Sequence, residues 1–138
     1  MNHMISKSKN KRTILVIEDE RPLVQIIQAK LEKVGYDVIT ARTVDQGLNY
    51  MEEVGAIDAV WLGHYLPGEK TGLDFVVALK NPNSKWTKIP IFVVSNTASS
   101  GNLRSYLRLD VSKYAVKAEH RLDEITNDIK LFLDKSED

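Results

Sequence analysis

The sequence predicts an α/β fold in which a mostly parallel sheet carries helices on both faces. Along the 138 residues, five short apolar runs alternate with segments whose apolar residues recur at helical spacing. Strands that alternate with helices indicate a parallel sheet, because neighbouring parallel strands need crossover connections. The runs are apolar throughout, which is typical of strands buried on both faces. In such folds, functional sites lie at the carboxyl ends of the strands.

The first half of the chain contains three predicted strands, in TILVIED, YDVITA and DAVWL, and two predicted helices. The first helix has Pro22 in its first turn, where proline is tolerated, and ends at Gly35. The second helix ends near Gly55. Apolar residues recur at helical spacing in both: Leu23, Ile26, Ile27, Leu31 and Val34 in the first, and Val44, Leu48 and Met51 in the second.

The second half continues the alternation. A third helix precedes the strand IPIFVVS, and a fourth helix follows the polar stretch NTASSGN. The strand KYAVK and a last helix complete five βα units, and we expect Trp61 and Phe92 to be core residues. The apolar helical positions are Leu73, Phe75, Val76, Val77 and Leu79, then Leu103, Tyr106 and Leu107, and finally Leu122, Ile125, Ile129, Phe132 and Leu133.

Composition indicates one ordinary globular domain, which we expect to span residues 12–134 between a basic leader (1–11) and a short acidic tail (135–138). The chain has 43% hydrophobic residues, and its 19 basic residues balance 19 acidic ones, so net charge gives no support for nucleic-acid binding. The absence of cysteine excludes thiolate catalysis. No apolar run reaches membrane length, and we expect a cytoplasmic protein without membrane contact.

Candidate functional residues follow four of the predicted strands. Glu18 and Asp19 follow the first strand, and adjacent carboxylates suit a hard cation such as Mg²⁺. Ser95 ends the fourth strand and Lys117 follows the fifth, where a hydroxyl and an ammonium group suit phosphoryl oxygens. The third strand ends in Gly63.

Five segments in this order and spacing resemble the receiver domain of bacterial two-component response regulators: ILVIEDE, DAVWLGHYLPG, GLDF, IPIFVVSN and YAVK. The resemblance covers about residues 12–134. It implies a flavodoxin-like (βα)5 fold, a three-layer α/β/α sandwich with strand order 2-1-3-4-5. It also implies phosphorelay signalling by protein contact and no enzymatic activity.

The resemblance assigns roles to individual residues. Magnesium would be held by an acidic pair and by a backbone carbonyl, and a hydroxyl and a lysine would coordinate the phosphoryl group. A hydroxyl and an aromatic residue would form the conformational switch. The matching residues are Glu18, Asp19 and the backbone of Tyr65 for metal, Ser95 and Lys117 for phosphoryl, and Ser95 and Tyr114 for the switch.

The resemblance also implies partners. A sensor histidine kinase or a phosphotransfer protein would act upstream. A downstream protein or a second copy of the chain would bind the face made by the fourth helix, fifth strand and fifth helix.

The chain departs from the family pattern at Gly63, where receivers carry the aspartate that accepts the phosphoryl group. Glycine cannot accept phosphate or ligate metal, so we expect weak or absent magnesium binding. We expect neither His64, on the opposite strand face, nor Asp74, in the next helix, to replace it. A second departure is Ala118, where the family usually has a proline preceded by a cis peptide bond. A cis peptide bond before a residue other than proline costs ~3 kcal/mol.

Two explanations of Gly63 stay open. The chain is either a natural pseudo-receiver that interacts without phosphate, or an ordinary receiver whose acceptor has been replaced. A phosphohydrolase is a weaker alternative, since IEDE lacks a second aspartate two positions after Asp19. A flavin or nucleotide carrier lacks support, because neither a glycine-rich nor a Ser/Thr-rich loop follows the first strand.

Overall fold

A computed structural model describes residues 11–95, 100–116 and 121–136. In these ranges strands and helices alternate as the sequence predicts. The strands are β1 (Thr13–Ile17), β2 (Asp37–Ala41), β3 (Ala59–Gly63), β4 (Ile91–Ser95) and β5 (Lys113–Val116). The helices are α1 (Arg21–Lys33), α2 (Val44–Val54), α3 (Gly72–Lys80), α4 (Ser100–Arg108) and α5 (Leu122–Ser136).

The five strands of the described residues form one parallel sheet in the order β2-β1-β3-β4-β5. This arrangement confirms the flavodoxin-like fold. In register, Ile17 of β1 lies beside Leu62 of β3, and Gly63 lies beside Val94 of β4. The carboxyl ends of β1, β3 and β4 therefore meet at one edge of the sheet.

Two apolar cores cover the two faces of the sheet and complete three layers. Phe75 and Tyr106 belong to the core between the sheet and helices α2, α3 and α4. Trp61 and Phe92 belong to the core between the sheet and helices α1 and α5, so their predicted core positions are confirmed. Successive residues of β3 alternate between the two cores, as a pleated strand requires.

Six apolar positions that the helical pattern groups with the core are exposed: Ile26, Val34, Val77, Leu103, Leu107 and Phe132. Val77, Leu107 and Phe132 have 52%, 56% and 40% of their surface accessible. The helical spacing correctly predicts the helices, but these residues lie at the margins of the apolar stripes. Single exposed apolar residues are common on protein surfaces, so exposure alone does not indicate a functional role.

Element ends follow local chemistry. Helix α2 ends at Gly55, whose φ of 71° is the left-handed conformation that glycine tolerates. Helix α5 continues to Ser136, two residues past the expected domain end. Within the described ranges, no helix has the length and apolar character needed to span a bilayer.

Candidate functional site

A small cavity of about 80 Å³ opens at the carboxyl ends of β1, β3 and β4. It brings together the sequence-predicted residues that follow three different strands. Its lining consists of Glu18, Asp19, Glu20, Gly63, His64, Tyr65, Val94 and Ser95. The predicted residues at the ends of β1, β3 and β4 therefore line one cavity.

Backbone contacts fix the position of the acidic pair. The Glu18 amide donates a hydrogen bond of 3.0 Å to the Ala41 carbonyl, which extends the β1–β2 pairing past the end of β1. The Glu18 side chain is buried, and its Oε2 accepts hydrogen bonds from the amides of Asp19 (3.0 Å) and Glu20 (3.4 Å). One of its carboxylate oxygens is thus already engaged by the chain itself.

Asp19 forms an ion pair with Arg42, a residue that the sequence analysis did not select. The Asp19 Oδ1 accepts hydrogen bonds from Arg42 Nη2 at 2.8 Å and from Nε at 3.2 Å. Arg42 directly follows β2, the neighbour of β1 in the sheet. A basic residue at a neighbouring strand end is a signal that could have identified it.

Gly63 ends β3 and lines this cavity without contributing a side chain. A Cβ added there would lie 3.2 Å from Glu18 Oε1, 3.3 Å from the Ile17 carbonyl oxygen and 3.6 Å from Leu66 Cδ2. Its backbone is not in the left-handed region, so conformation does not demand glycine. A side chain at this position would start beside Glu18, with tight clearance.

His64 points away from the acidic pair and contacts helix α4. Its Nδ1 lies 2.5 Å from the hydroxyl oxygen of Tyr106, and both side chains are buried. Burial lowers the pKa of His64, although Asp74 opposes the shift, and burial raises the pKa of Tyr106. Both shifts favour the neutral forms, so a neutral imidazole and a neutral phenol are joined by one hydrogen bond. Periodicity marked Tyr106 as apolar core and gave no sign of this partner.

Asp74 serves as a helix cap. It lies in the first turn of α3, and its Oδ2 accepts a 2.8 Å hydrogen bond from the Thr71 amide. Thr71 and Asp74 form a capping box, which satisfies amides that the helix leaves unpaired.

The remaining predicted residues divide into three cases. Ser95 is buried and lines the cavity. Tyr114 is half-buried outside the described cavity lining, with its ring 5.5 Å from that of Tyr106. Lys117 and Ala118 lie outside the described residues, as does the peptide bond between them.

The donor set does not fit the magnesium site that the family resemblance implies. Hard cations prefer several oxygen ligands. In the described ranges, no three Asp, Glu or His side chains are arranged to hold a metal ion. Glu18 and Asp19 provide two carboxylates, one partly bound by backbone amides and the other paired with Arg42. Gly63 adds none.

Comparison with known proteins identifies similar sequences and structures. The family model of the response regulator receiver domain matches residues 14–130. The CAI-1 autoinducer sensor kinase/phosphatase CqsS of Vibrio cholerae is 26% identical over 117 residues, 85% of this chain. The chain spans 17% of the length of that relative.

Two solved structures show the same fold. A CheY-like receiver domain protein from Methanospirillum hungatei superposes with a TM-score of 0.82 at 22% identity, covering 93% of this chain and 98% of that one. The Mn²⁺-bound form of response regulator Rcp1 gives a TM-score of 0.74 at 21% identity, covering 88% and 94%. At this identity, the structural likeness shows the fold alone.

Proposed function

Because the chain belongs to the response regulator receiver domain family, we propose that it transmits a signal by contact with another protein while its acceptor position stays unphosphorylated. Receiver domains are in general signalling modules without enzymatic activity, and the proposal assigns this chain no catalytic residue. Residues 14–130 carry the family match, so the proposal concerns nearly the whole described domain.

The observation that carries the proposal is the position of Gly63. It ends β3 in the cavity that Glu18, Asp19 and Ser95 also line, and its missing side chain would point at Glu18. An acceptor must supply a carboxylate oxygen at that point, and glycine has none. The neighbouring His64 has its Nδ1 engaged with the Tyr106 hydroxyl.

The other inherited roles are part of the same proposal. Ser95 supplies a hydroxyl in the cavity, and Lys117 is expected to complete the phosphoryl-binding pair. Tyr114 is expected to act as the switch residue, and its packing against Tyr106 supports a connection to α4. The relative named as a sensor kinase/phosphatase supports an upstream histidine kinase or phosphotransfer protein as a partner.

Intact-mass analysis after incubation with acetyl phosphate and Mg²⁺ tests the central claim. We expect this chain to keep its original mass, whereas Gly63→Asp gains one phosphoryl group under the same conditions. The aspartate variant is the control that the donor and metal are competent. A stable phosphoryl adduct on the parent chain would refute the proposal.

The face formed by α4, β5 and α5 is the proposed partner surface. Leu103 and Leu107 of α4 are exposed on the described surface, with 37% and 56% of their area accessible. A downstream protein or a second copy of the chain would bury them. Light scattering on Leu107→Glu tests the second copy: if the parent dimerises through this face, the variant is monomeric at the same concentration. A dimer unchanged by the substitution would contradict that assignment.

One observation favours a natural module that works without phosphate over a receiver whose acceptor alone was replaced. Asp19 is already paired with Arg42, so the site contains a compensating charge besides the missing acceptor. A replaced acceptor in an otherwise ordinary site gives no reason for such a pair.

A further inference from the structure

We propose that Arg42 is a built-in counter-ion of the acidic site, which binds Asp19 and opposes the binding of a divalent cation there. The inference deepens the proposed function, on which it rests, by adding that the site is electrostatically adapted to work without a metal ion. Its central observation is the two-pronged contact of the Arg42 guanidinium with Asp19 Oδ1, at 2.8 and 3.2 Å.

Hydrogen bonds at the start of α2 fix the backbone of Arg42. The Arg42 amide donates a 2.7 Å hydrogen bond to Gln46 Oε1. The Gln46 amide in turn donates to Thr43 Oγ1 at 3.0 Å, so Thr43 caps α2. Such reciprocal bonds fix the entry of the chain into a helix. Arg42 therefore follows β2 at a position determined by the cap, beside the end of β1.

The Asp19 end of the contact is fixed as well. The Glu18 amide bonds the Ala41 carbonyl, which ties the residue before Asp19 to the residue before Arg42. The Asp19 amide bonds Glu18 Oε2 at 3.0 Å. Because both backbones are held close to the ion pair, only the two side chains remain to be ordered when the contact forms.

Charge explains why this contact opposes a cation. Glu18, Asp19 and Glu20 bring three negative charges to the cavity lining, Gly63 brings none, and Arg42 neutralises the charge of Asp19. An incoming divalent cation would have to displace the guanidinium from Asp19 or bind beside a like charge. Both routes weaken cation binding, in addition to the loss of the third carboxylate.

Mn²⁺ titration followed by paramagnetic broadening of backbone amide signals tests this role. The variants are Arg42→Ala, Arg42→Lys and a matched control, Lys11→Ala. Lys11 pairs with Asp37 at 3.6 Å, so its ion pair also bridges β1 and β2, but at their amino-terminal ends, away from the site. Lys11→Ala removes the same charge from a comparably exposed position.

We expect Arg42→Ala to bind Mn²⁺ about five- to tenfold more tightly than the parent, with broadening centred on the Asp19 and Glu20 amides. Arg42→Lys keeps the positive charge but loses the two-pronged contact, so we expect its Mn²⁺ affinity to lie between those of the parent and Arg42→Ala. Lys11→Ala is expected to match the parent. Since the Arg42 side chain is exposed, far-UV circular dichroism should show an unchanged fold.

Equal Mn²⁺ affinities of Arg42→Ala and Lys11→Ala would overturn the proposal. A parent chain that saturates below about 0.1 mM Mn²⁺ would overturn it too, because two carboxylates with a competing cation cannot bind that tightly. Failure here leaves the proposed function standing, since that claim is decided by phosphoryl transfer in the mass assay and needs no cation titration.

Discussion

The Nδ1 of His64 lies 2.5 Å from the hydroxyl oxygen of Tyr106, which joins the residue after β3 to the last turn of α4. The two rings meet edge to face at 5.5 Å, and Tyr106 in turn packs against Tyr114 of β5. A polar contact buried between elements is strong when both partners are present and costly when one is lost. It therefore provides a direct physical connection between the candidate site and the proposed partner face.

Tyr106→Phe should destabilise the domain by about 1–3 kcal/mol, because it leaves a buried His64 nitrogen without its hydrogen-bond partner. Urea unfolding measures the loss. The control is Tyr50→Phe, which removes the hydroxyl of a partly buried ring for which the described residues show no hydrogen bond. His64→Phe combined with Tyr106→Phe should cost less than the sum of the two single changes. Additive losses would mean that the two side chains do not interact.

Stability should fall in mild acid because of His64. Burial lowers its folded-state pKa below the ordinary value of about 6.5, with Asp74 opposing the shift. As pH falls below about 6.5, the unfolded chain takes up a proton that the folded chain does not, so unfolding becomes easier. The loss continues until the pH reaches the folded-state pKa.

Melting curves of the parent and His64→Phe between about pH 7.5 and 5 measure this loss. The variant lacks the imidazole, so its stability should decline less over the upper part of that range. Parallel declines for both chains would show that His64 does not set the pH dependence.

Gly72→Ala should cost several kcal/mol despite the better helix propensity of alanine. A Cβ at Gly72 would lie against the Gly63 carbonyl oxygen and 2.8 Å from the Tyr106 hydroxyl. The carbonyl belongs to a strand end that cannot move freely, and the hydroxyl is bound to His64. Small-to-large changes in packed positions usually cost about 1–3 kcal/mol or more.

Gly47→Ala is the matched control for Gly72→Ala, because it also adds a methyl group to a buried helical glycine. Its Cβ would meet Ile17 Cδ1 at 2.5 Å, the end of a flexible side chain that can rotate away. We expect Gly47→Ala to cost clearly less in chemical denaturation. A smaller loss for Gly72→Ala would mean that α3 can move away from the Gly63 strand end.

The sequence predicts the fold well because its signals are local. The uniformly apolar strands and the glycine after α2 depend on neighbouring residues, and both appear where the pattern places them. The apolar run of β3 likewise predicts that Gly63 lies at the end of that strand. The Arg42–Asp19 and His64–Tyr106 contacts join residues 23 and 42 positions apart. Such pairings arise only when strand order and helix packing are fixed, so periodicity could not identify them.

Gly63→Asp should destabilise the domain in metal-free buffer near neutral pH. The new carboxylate would extend from a Cβ that lies 3.2 Å from Glu18 Oε1. At an effective dielectric constant near 20 and ~5 Å separation, two like charges repel by up to ~3 kcal/mol. Replacing glycine reduces the conformational entropy that the chain loses on folding, but this recovers only ~0.5–1 kcal/mol of stability. The repulsion is larger, although Arg42 beside Asp19 and solvent reduce it. Gly63→Asn, which has the same size without charge, should be more stable than the aspartate variant.

Magnesium should reverse that ranking for the aspartate variant. A third carboxylate beside Glu18 and Asp19 completes an oxygen donor set suited to a hard cation. A ligand present at tenfold excess over its Kd stabilises the folded state by about 1.4 kcal/mol, which corresponds to a shift of a few degrees in Tm. Paired melting curves with chelator and with about 10 mM Mg²⁺ measure the shift, which we expect for Gly63→Asp and not for the parent or Gly63→Asn. If the three chains respond to Mg²⁺ alike, a carboxylate at residue 63 does not reach the acidic pair.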